Sequence, residues 1–226
     1  MHRLPDREVW LAFGTGKQFR YYPIHDIANS FGPQKSLALP VFHAFTGCDT
    51  VPFFGGKGKK SAWDTWTVFP QITNAFVEIA GAPTELSDGC VEDIERFVVL
   101  LYDRGSELKR VDEARQQLFC QHSRDLERIP PTSAALTQHT LRASYQGGHI
   151  WCQAQLTMPV YPSPAEWGWE RADGWRPLWT TLPQAQQSCY ELIHCACKKA
   201  CRGLCRCSKA NVQCTALCAC GGHCYS

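Results

Sequence analysis

No apolar run in the chain's 226 residues approaches the ~18 residues of a membrane span, so no membrane partner is expected. Met1 to Pro23 lacks the unbroken apolar stretch of a secretory signal, which places the expected location in a reducing compartment, nuclear or nucleocytoplasmic. Charge of one sign is also scarce. The net value is only +2, which excludes a strongly basic composition. No internal repeat is visible before the last thirty residues, and no acidic side chain follows Glu191. A length of 226 residues and 44% apolar content suffice for a real core, in one large domain or two small ones.

What is abundant is cysteine, and most of it lies at one end. Cys195, Cys197, Cys201, Cys205, Cys207, Cys214, Cys218, Cys220 and Cys224 follow the pattern C-x-C-x3-C-x3-C-x-C-x6-C-x3-C-x-C-x3-C. Such density leaves little room for aliphatic side chains, so disulfides or metal must hold the segment folded. Nine is odd, which forbids complete pairing within the segment, and a reducing compartment keeps thiols free as zinc ligands. Nine thiolates supply the twelve ligand positions of three tetrahedral Zn²⁺ ions when three sulfurs bridge and six are terminal. Two mononuclear sites would leave one cysteine over, with His194 or His223 as further ligands, and a secreted disulfide knot is the remaining alternative. Lys198, Lys199, Arg202, Arg206 and Lys209 lie among the cysteines and give residues 189–226 a surplus of four positive charges. Three zincs on nine thiolates lower that surplus to about +1, a modest attraction for a polyanion.

Earlier in the chain, Val9 to Phe13 and Phe19 to Tyr22 read as strands joined at Gly14-Thr15-Gly16-Lys17. That turn lacks Walker A spacing and leads into a second strand, so it is read as a hairpin. Two helical patterns follow, Ile24 to Phe31 and Pro33 to Phe45, separated by Gly32-Pro33. A further helix is expected from Lys59 to Phe69, entered through Gly56-Lys57-Gly58. Backbone N–H groups at that helix start, with Lys57, Lys59 and Lys60 beside them, suit phosphate oxygens. A solvated glycine turn with surface lysines is the plainer reading.

Residues 71–155 read as helical. Ile72, Ala75, Phe76 and Ile79 share one face, as do Ile94, Phe97, Val98, Leu101 and Tyr102 within Val91–Tyr102. Val111 to Phe119 and Ala134 to Tyr145 are the next helices, on either side of Pro130-Pro131. His122, His139 and His149 are read as structural or surface residues, and Cys90, Cys120 and Cys152 as single buried cysteines. Residues 156–188 combine five prolines with Trp167, Trp169, Trp175 and Trp179. This composition predicts an extended strap packed across the helices, or an aromatic platform for bases or a partner protein. The resulting division is 1–80, 81–155, 156–188 and 189–226, in a mainly α chain with a short β-hairpin.

Two stretches carry a family resemblance. Gly47-Cys48-Asp49 followed by Gly56-Lys57-Gly58-Lys59-Lys60-Ser61-Ala62 resembles the flap-endonuclease (PIN-like) family, in which Gly-Cys-Asp leads into a helix–hairpin–helix, and the similarity covers about residues 8–70. It implies Asp49 as one carboxylate of a two-Mg²⁺ site and Gly56, Gly58 and Lys60 as a grip on duplex or branched DNA. Two-metal hydrolysis needs several converging carboxylates. Asp26, Asp64 and Glu78 match none of the family's, and its other strands lie upstream of anything present here. A truncated nuclease region, not catalytic alone, is therefore expected, and a turn or cap aspartate is the alternative role for Asp49. The cysteine pattern resembles the CXC (tesmin-like) and pre-SET clusters of chromatin proteins, which hold three zincs. It departs from the DNA-binding CXC form at Leu204, where a tyrosine enters the minor groove. Taken whole, the chain resembles the C-terminal portion of mobile-element-associated animal proteins. These readings imply a zinc-binding protein that interacts with nucleic acid or chromatin. The alternatives are a Mg²⁺-dependent structure-specific endonuclease active only in a longer chain, and a zinc-stapled scaffold for a protein partner.

Overall fold

The computed structural model describes residues 8–83, 85–121, 129–154, 156–180, 193–197, 205–209, 212–215 and 217–221. The described chain is mainly helical with two small antiparallel sheets. Strands β1 (Trp10–Phe13) and β2 (Arg20–Pro23) pair with Leu11 opposite Tyr22 and Phe13 opposite Arg20. The expected hairpin forms, but Trp10, Phe13 and Tyr21 remain more than half exposed.

Helix α1 (Ile24–Phe45) is the central element, and it bends where the sequence breaks its pattern. Gly32 takes φ 76°, a left-handed value costly for other residues, and Pro33 lacks the N–H that would continue the ladder. The Ser36 hydroxyl bridges the break by donating to the Ala28 carbonyl at 2.9 Å. After the bend, Val41, Phe42, Ala44 and Phe45 are buried. Phe45 sits at the middle of an aromatic core, with ring centroids 5.1 Å from Phe54, 5.7 Å from Phe76, 6.1 Å from Phe97 and 5.1 Å from His139.

Helices α2 (Lys59–Val68), α3 (Ile72–Ala80), α4 (Asp88–Tyr102), α5 (Val111–Gln121) and α6 (Ser133–Ser144) surround it. The faces read from periodicity are the buried ones: Ile72, Ala75, Phe76 and Ile79 in α3, and Ile94, Phe97, Val98 and Leu101 in α4. Ser87 caps α4 by accepting from the Cys90 N–H at 3.2 Å, and Glu78 accepts both the Ser87 N–H and hydroxyl at 2.8 Å. Buried Glu95 ties three helices together. It takes the Val111 N–H at 2.9 Å at the start of α5 and the Ser133 hydroxyl at 2.8 Å at the start of α6, and it pairs with Arg110 at 3.2 Å.

Beyond α6 the backbone continues as a π-helix, Tyr145–Ile150. Two glycines account for its close packing. A Cβ at Gly147 would stand 2.9 Å from Val41 Cγ2, and one at Gly148 2.7 Å from Ala82 Cβ. The Trp/Pro segment then lies over α6 and the π-helix, with Trp167 buried against His149 at 4.6 Å. Arg142 on α6 holds it by donating from Nη1 to the carbonyls of Gly168 (2.9 Å) and Leu178 (2.6 Å). This segment also contains structure that composition did not suggest: strands β3 (Trp169–Arg171) and β4 (Trp175–Pro177), paired around Asp173-Gly174. Of the three cysteines expected to be buried, only Cys90 is; Cys120 falls on the solvent side of α5 and Cys152 is half-buried. His139 is buried, as a structural histidine should be, and His122 lies outside the described residues.

Candidate metal centre

Seven of the nine C-terminal cysteines lie in described segments, and none of the seven is in a disulfide. Their backbone path brings the sulfurs together. Ala219 N–H donates to the Cys195 carbonyl at 2.9 Å, which lays the end of the segment beside its beginning. A one-turn helix, Arg206–Lys209, turns Cys207 inward, and Val212 N–H closes onto the Cys207 carbonyl at 2.9 Å. The result is a set of short sulfur contacts: Cys195–Cys214 at 3.7 Å, Cys195–Cys220 at 3.9 Å and Cys207–Cys218 at 3.6 Å. A disulfide would need about 2.05 Å. Two thiolates on one tetrahedral zinc, with Zn–S of about 2.3 Å, stand about 3.8 Å apart. The observed separations match the second value.

Two groups of four sulfurs lie close enough for one ion each: Cys195, Cys214, Cys218 and Cys220, and Cys195, Cys205, Cys207 and Cys214, with all atoms of a group within 4.8 Å. Cys195 and Cys214 belong to both. These cysteines can hold a metal ion, and the donor set fits zinc. Cys197 is half-buried at the edge of the cluster and joins neither group, and His194 is exposed and also joins neither. Cys201 and Cys224, like Lys198, Lys199, Arg202, Leu204 and His223, lie outside the described residues.

The local electrostatics already favour thiolate at one position. Burial resists ionisation of Cys218, but N–H groups of Cys195 and Thr215, each 3.4 Å from its sulfur, outweigh that and bring the thiol down to about 6. Burial, reinforced by the Cys218 sulfur, pushes Cys207 up to about 12. The two thiols titrate as a coupled pair, in which their surroundings favour keeping a proton on Cys207 over Cys218. A divalent cation would displace that proton and take both sulfurs.

The cluster has an apolar seat. Cys195, Cys207 and Cys218 share a buried group with Ile193, Leu118 and Phe119 of α5, and Ile129, with Tyr102 of α4 at its edge. The seat is invisible in the cysteine spacing. Its only signal in the sequence is the adjacent Leu118-Phe119 pair at the end of α5, more apolar surface than one helix face needs.

The glycine–lysine loop is a second, separate place. Gly56 has φ 67° with open space where a Cβ would stand, and Gly58 is the N-cap of α2 without a side-chain cap. The lysines differ from one another. Lys59 Nζ donates to the His43 carbonyl (2.8 Å), Thr46 Oγ1 (3.0 Å) and the Gly47 carbonyl (2.6 Å), which satisfies the carbonyl end of α1. Lys57 lies 5.0 Å over the Tyr102 ring, and burial lowers its pKa. Lys60 is 91% exposed and reaches Asp64 at 3.1 Å. Asp49 is exposed in the loop after α1, and among the described residues no group of three metal-ligating side chains includes it. Arg206 is exposed on the cluster's short helix.

Among the described residues no helix is long and apolar enough to cross a membrane. No family model, curated protein or solved structure matches the chain. The fold and the sulfur geometry therefore define it: a mainly helical protein with a cysteine cluster able to hold metal.

Proposed function

We propose that the chain is a zinc-cluster protein in which metal fixes the C-terminal segment to the helical body, and that it works by binding, without catalysis of its own. The observation that carries this reading is the set of sulfur separations between 3.6 and 3.9 Å, seated on Leu118, Phe119 and Ile129. Two groups of four that share Cys195 and Cys214 favour neighbouring ions with bridging thiolates. The six sulfurs of those groups serve two zincs, and Cys197, Cys201 and Cys224, with one further bridging sulfur from the groups, are left for a third. Elemental analysis of the purified chain tests it: close to three zincs per chain is expected, and a metal content near zero would overturn the reading. Thiolate ligation on this scale belongs to a reducing compartment.

A second reading, contact with nucleic acid or chromatin, is favoured by the α2 start. It has a glycine N-cap without a side-chain partner, the exposed Lys60 and open space at Gly56. Asp49 then acts as a turn residue, with at most a residual Mg²⁺ contact. Gel-shift titration of the zinc-loaded chain with duplex and branched DNA across a salt series tests this separately. Binding that weakens with salt and with Lys60→Ala supports it, and no binding at low salt leaves the zinc-stapled scaffold for a protein partner.

A further inference from the structure

Arg142 presents an unusual physical situation. Its side chain is 2% exposed, yet no carboxylate pairs with it among the described residues. Its Nη1 is satisfied by the Gly168 and Leu178 carbonyls, whereas its buried Nε has no hydrogen-bond partner among the described residues. A guanidinium removed from water is costly unless an anion balances it. Burial alone lowers its pKa to about 10, which still leaves it charged at neutral pH.

The same side chain lines a cleft of about 330 Å³. The other walls are mostly flat and apolar, among them Phe54, Tyr102, Pro131 and Trp179, and His139 also lines the cleft. Trp179 lies over the guanidinium at 5.4 Å and is itself 58% exposed, so it borders both the charge and solvent. His139 is kept neutral by burial and its ring nitrogen is committed to the Phe45 carbonyl at 2.7 Å, so it brings no second positive charge. One buried cation in an aromatic-walled cleft selects for one negative charge on a flat body. A dianionic phosphate would leave an unbalanced charge in the same low-dielectric space.

We propose that this cleft, bounded by the 52–55 loop, α4, α6 and Trp179, is a binding site for a small aromatic carboxylate whose oxygens pair with Arg142. The ring lies among Phe54, Tyr102 and Trp179, and the carboxylate supplies the counter-charge that the protein's described residues do not. The cleft shares Tyr102 and Ile129 with the seat of the cysteine cluster and adjoins the α2 loop at Gly55, but none of the clustered cysteines lines it.

Benzoate and its neutral isostere benzamide are the probes, titrated against the zinc-loaded full chain by ligand-observed NMR. Saturable benzoate binding with a Kd of about 1 mM or tighter is expected, and benzamide should bind at least about tenfold more weakly. Arg142→Gln should abolish the difference. Because Arg142 also holds the Trp/Pro segment, Ala135→Phe provides the control that leaves those bonds in place. Ala135 lines the cleft, and the larger ring fills it. Ala135→Phe should lose benzoate binding with an unchanged far-UV circular dichroism spectrum. Benzamide binding as well as benzoate, Ala135→Phe binding benzoate like the parent, or no benzoate binding up to about 10 mM would each overturn the proposal.

Discussion

Acid should destabilise the helical body of this protein through the buried side chain of His139. It is 7% exposed, its Nε2 lies 2.7 Å from the Phe45 carbonyl, and its ring packs 4.7 Å from Phe54 and 5.1 Å from Phe45. A neutral imidazole with its proton on Nε2 donates to that carbonyl. Burial, partly offset by that hydrogen bond, lowers its pKa from 6.5 to about 4. The unfolded chain therefore takes up a proton on His139 before the folded one does. Stability is full above pH 6.5 and is lost as pH falls from there toward 4, the reverse of a histidine that gains an acidic partner. Linkage gives a loss of about 2 kcal/mol at pH 5 and about 3 kcal/mol at pH 4. Urea unfolding at several pH values, on the parent and on His139→Gln, isolates the effect, because acid release of metal from the cysteines is common to both chains. The variant should be less stable at pH 7.5, where its smaller side chain leaves space beside Phe45, and its stability should fall more shallowly with acid. Parallel stability curves from pH 7.5 to 5 would refute the assignment of a buried neutral imidazole.

Two other perturbations have definite outcomes. Cys195→Ser removes a sulfur that belongs to both metal groups, whereas Cys220→Ser removes one that belongs to a single group, so elemental analysis should show the greater zinc loss for Cys195→Ser; equal losses would contradict the shared-sulfur geometry. Glu95→Ala orphans the Val111 N–H and the Ser133 hydroxyl and should cost about 3 kcal/mol in chemical unfolding, while Glu95→Gln, which still accepts hydrogen bonds, should cost about half as much.

Periodicity is a strong guide where a helix has one buried face and weak where a side chain acts at a distance. Ile72, Ala75, Phe76 and Ile79 are legible because their spacing alone places them on one side of α3. The bend in α1 is legible in Gly32-Pro33, since both residues oppose continuation of a helix. Arg142 and Glu95 are not, because a charged residue inside an amphipathic helix reads as solvent-facing until the partner helix or strap is known. The strap itself is visible in its tryptophans, but the Asp173-Gly174 turn was the sign of a hairpin with strands too short for alternation to register. At the metal centre, spacing marks the cysteine-rich stretch, and six of its sulfurs do come together, in two groups of four that share Cys195 and Cys214. Spacing carries nothing about Leu118, Phe119 and Ile129, whose position beneath the sulfurs depends on how α5 packs. The same limit applies to Lys59, a phosphate-gripping lysine by motif and a cap on the carbonyl end of α1 by geometry.

The seat beneath the sulfurs also has a temporal meaning. Leu118, Phe119 and Ile129 are synthesised well before Cys195, so a growing chain completes its helices while the patch that receives the cluster still faces water. Under the zinc-cluster proposal, that patch is covered once the last cysteines have emerged and taken up metal. A molecule made where zinc is scarce would carry finished helices and a bare apolar spot, the sort of surface that chaperones and proteases recognise. Metal supply would then govern how long each copy survives, before it governs anything the copy does.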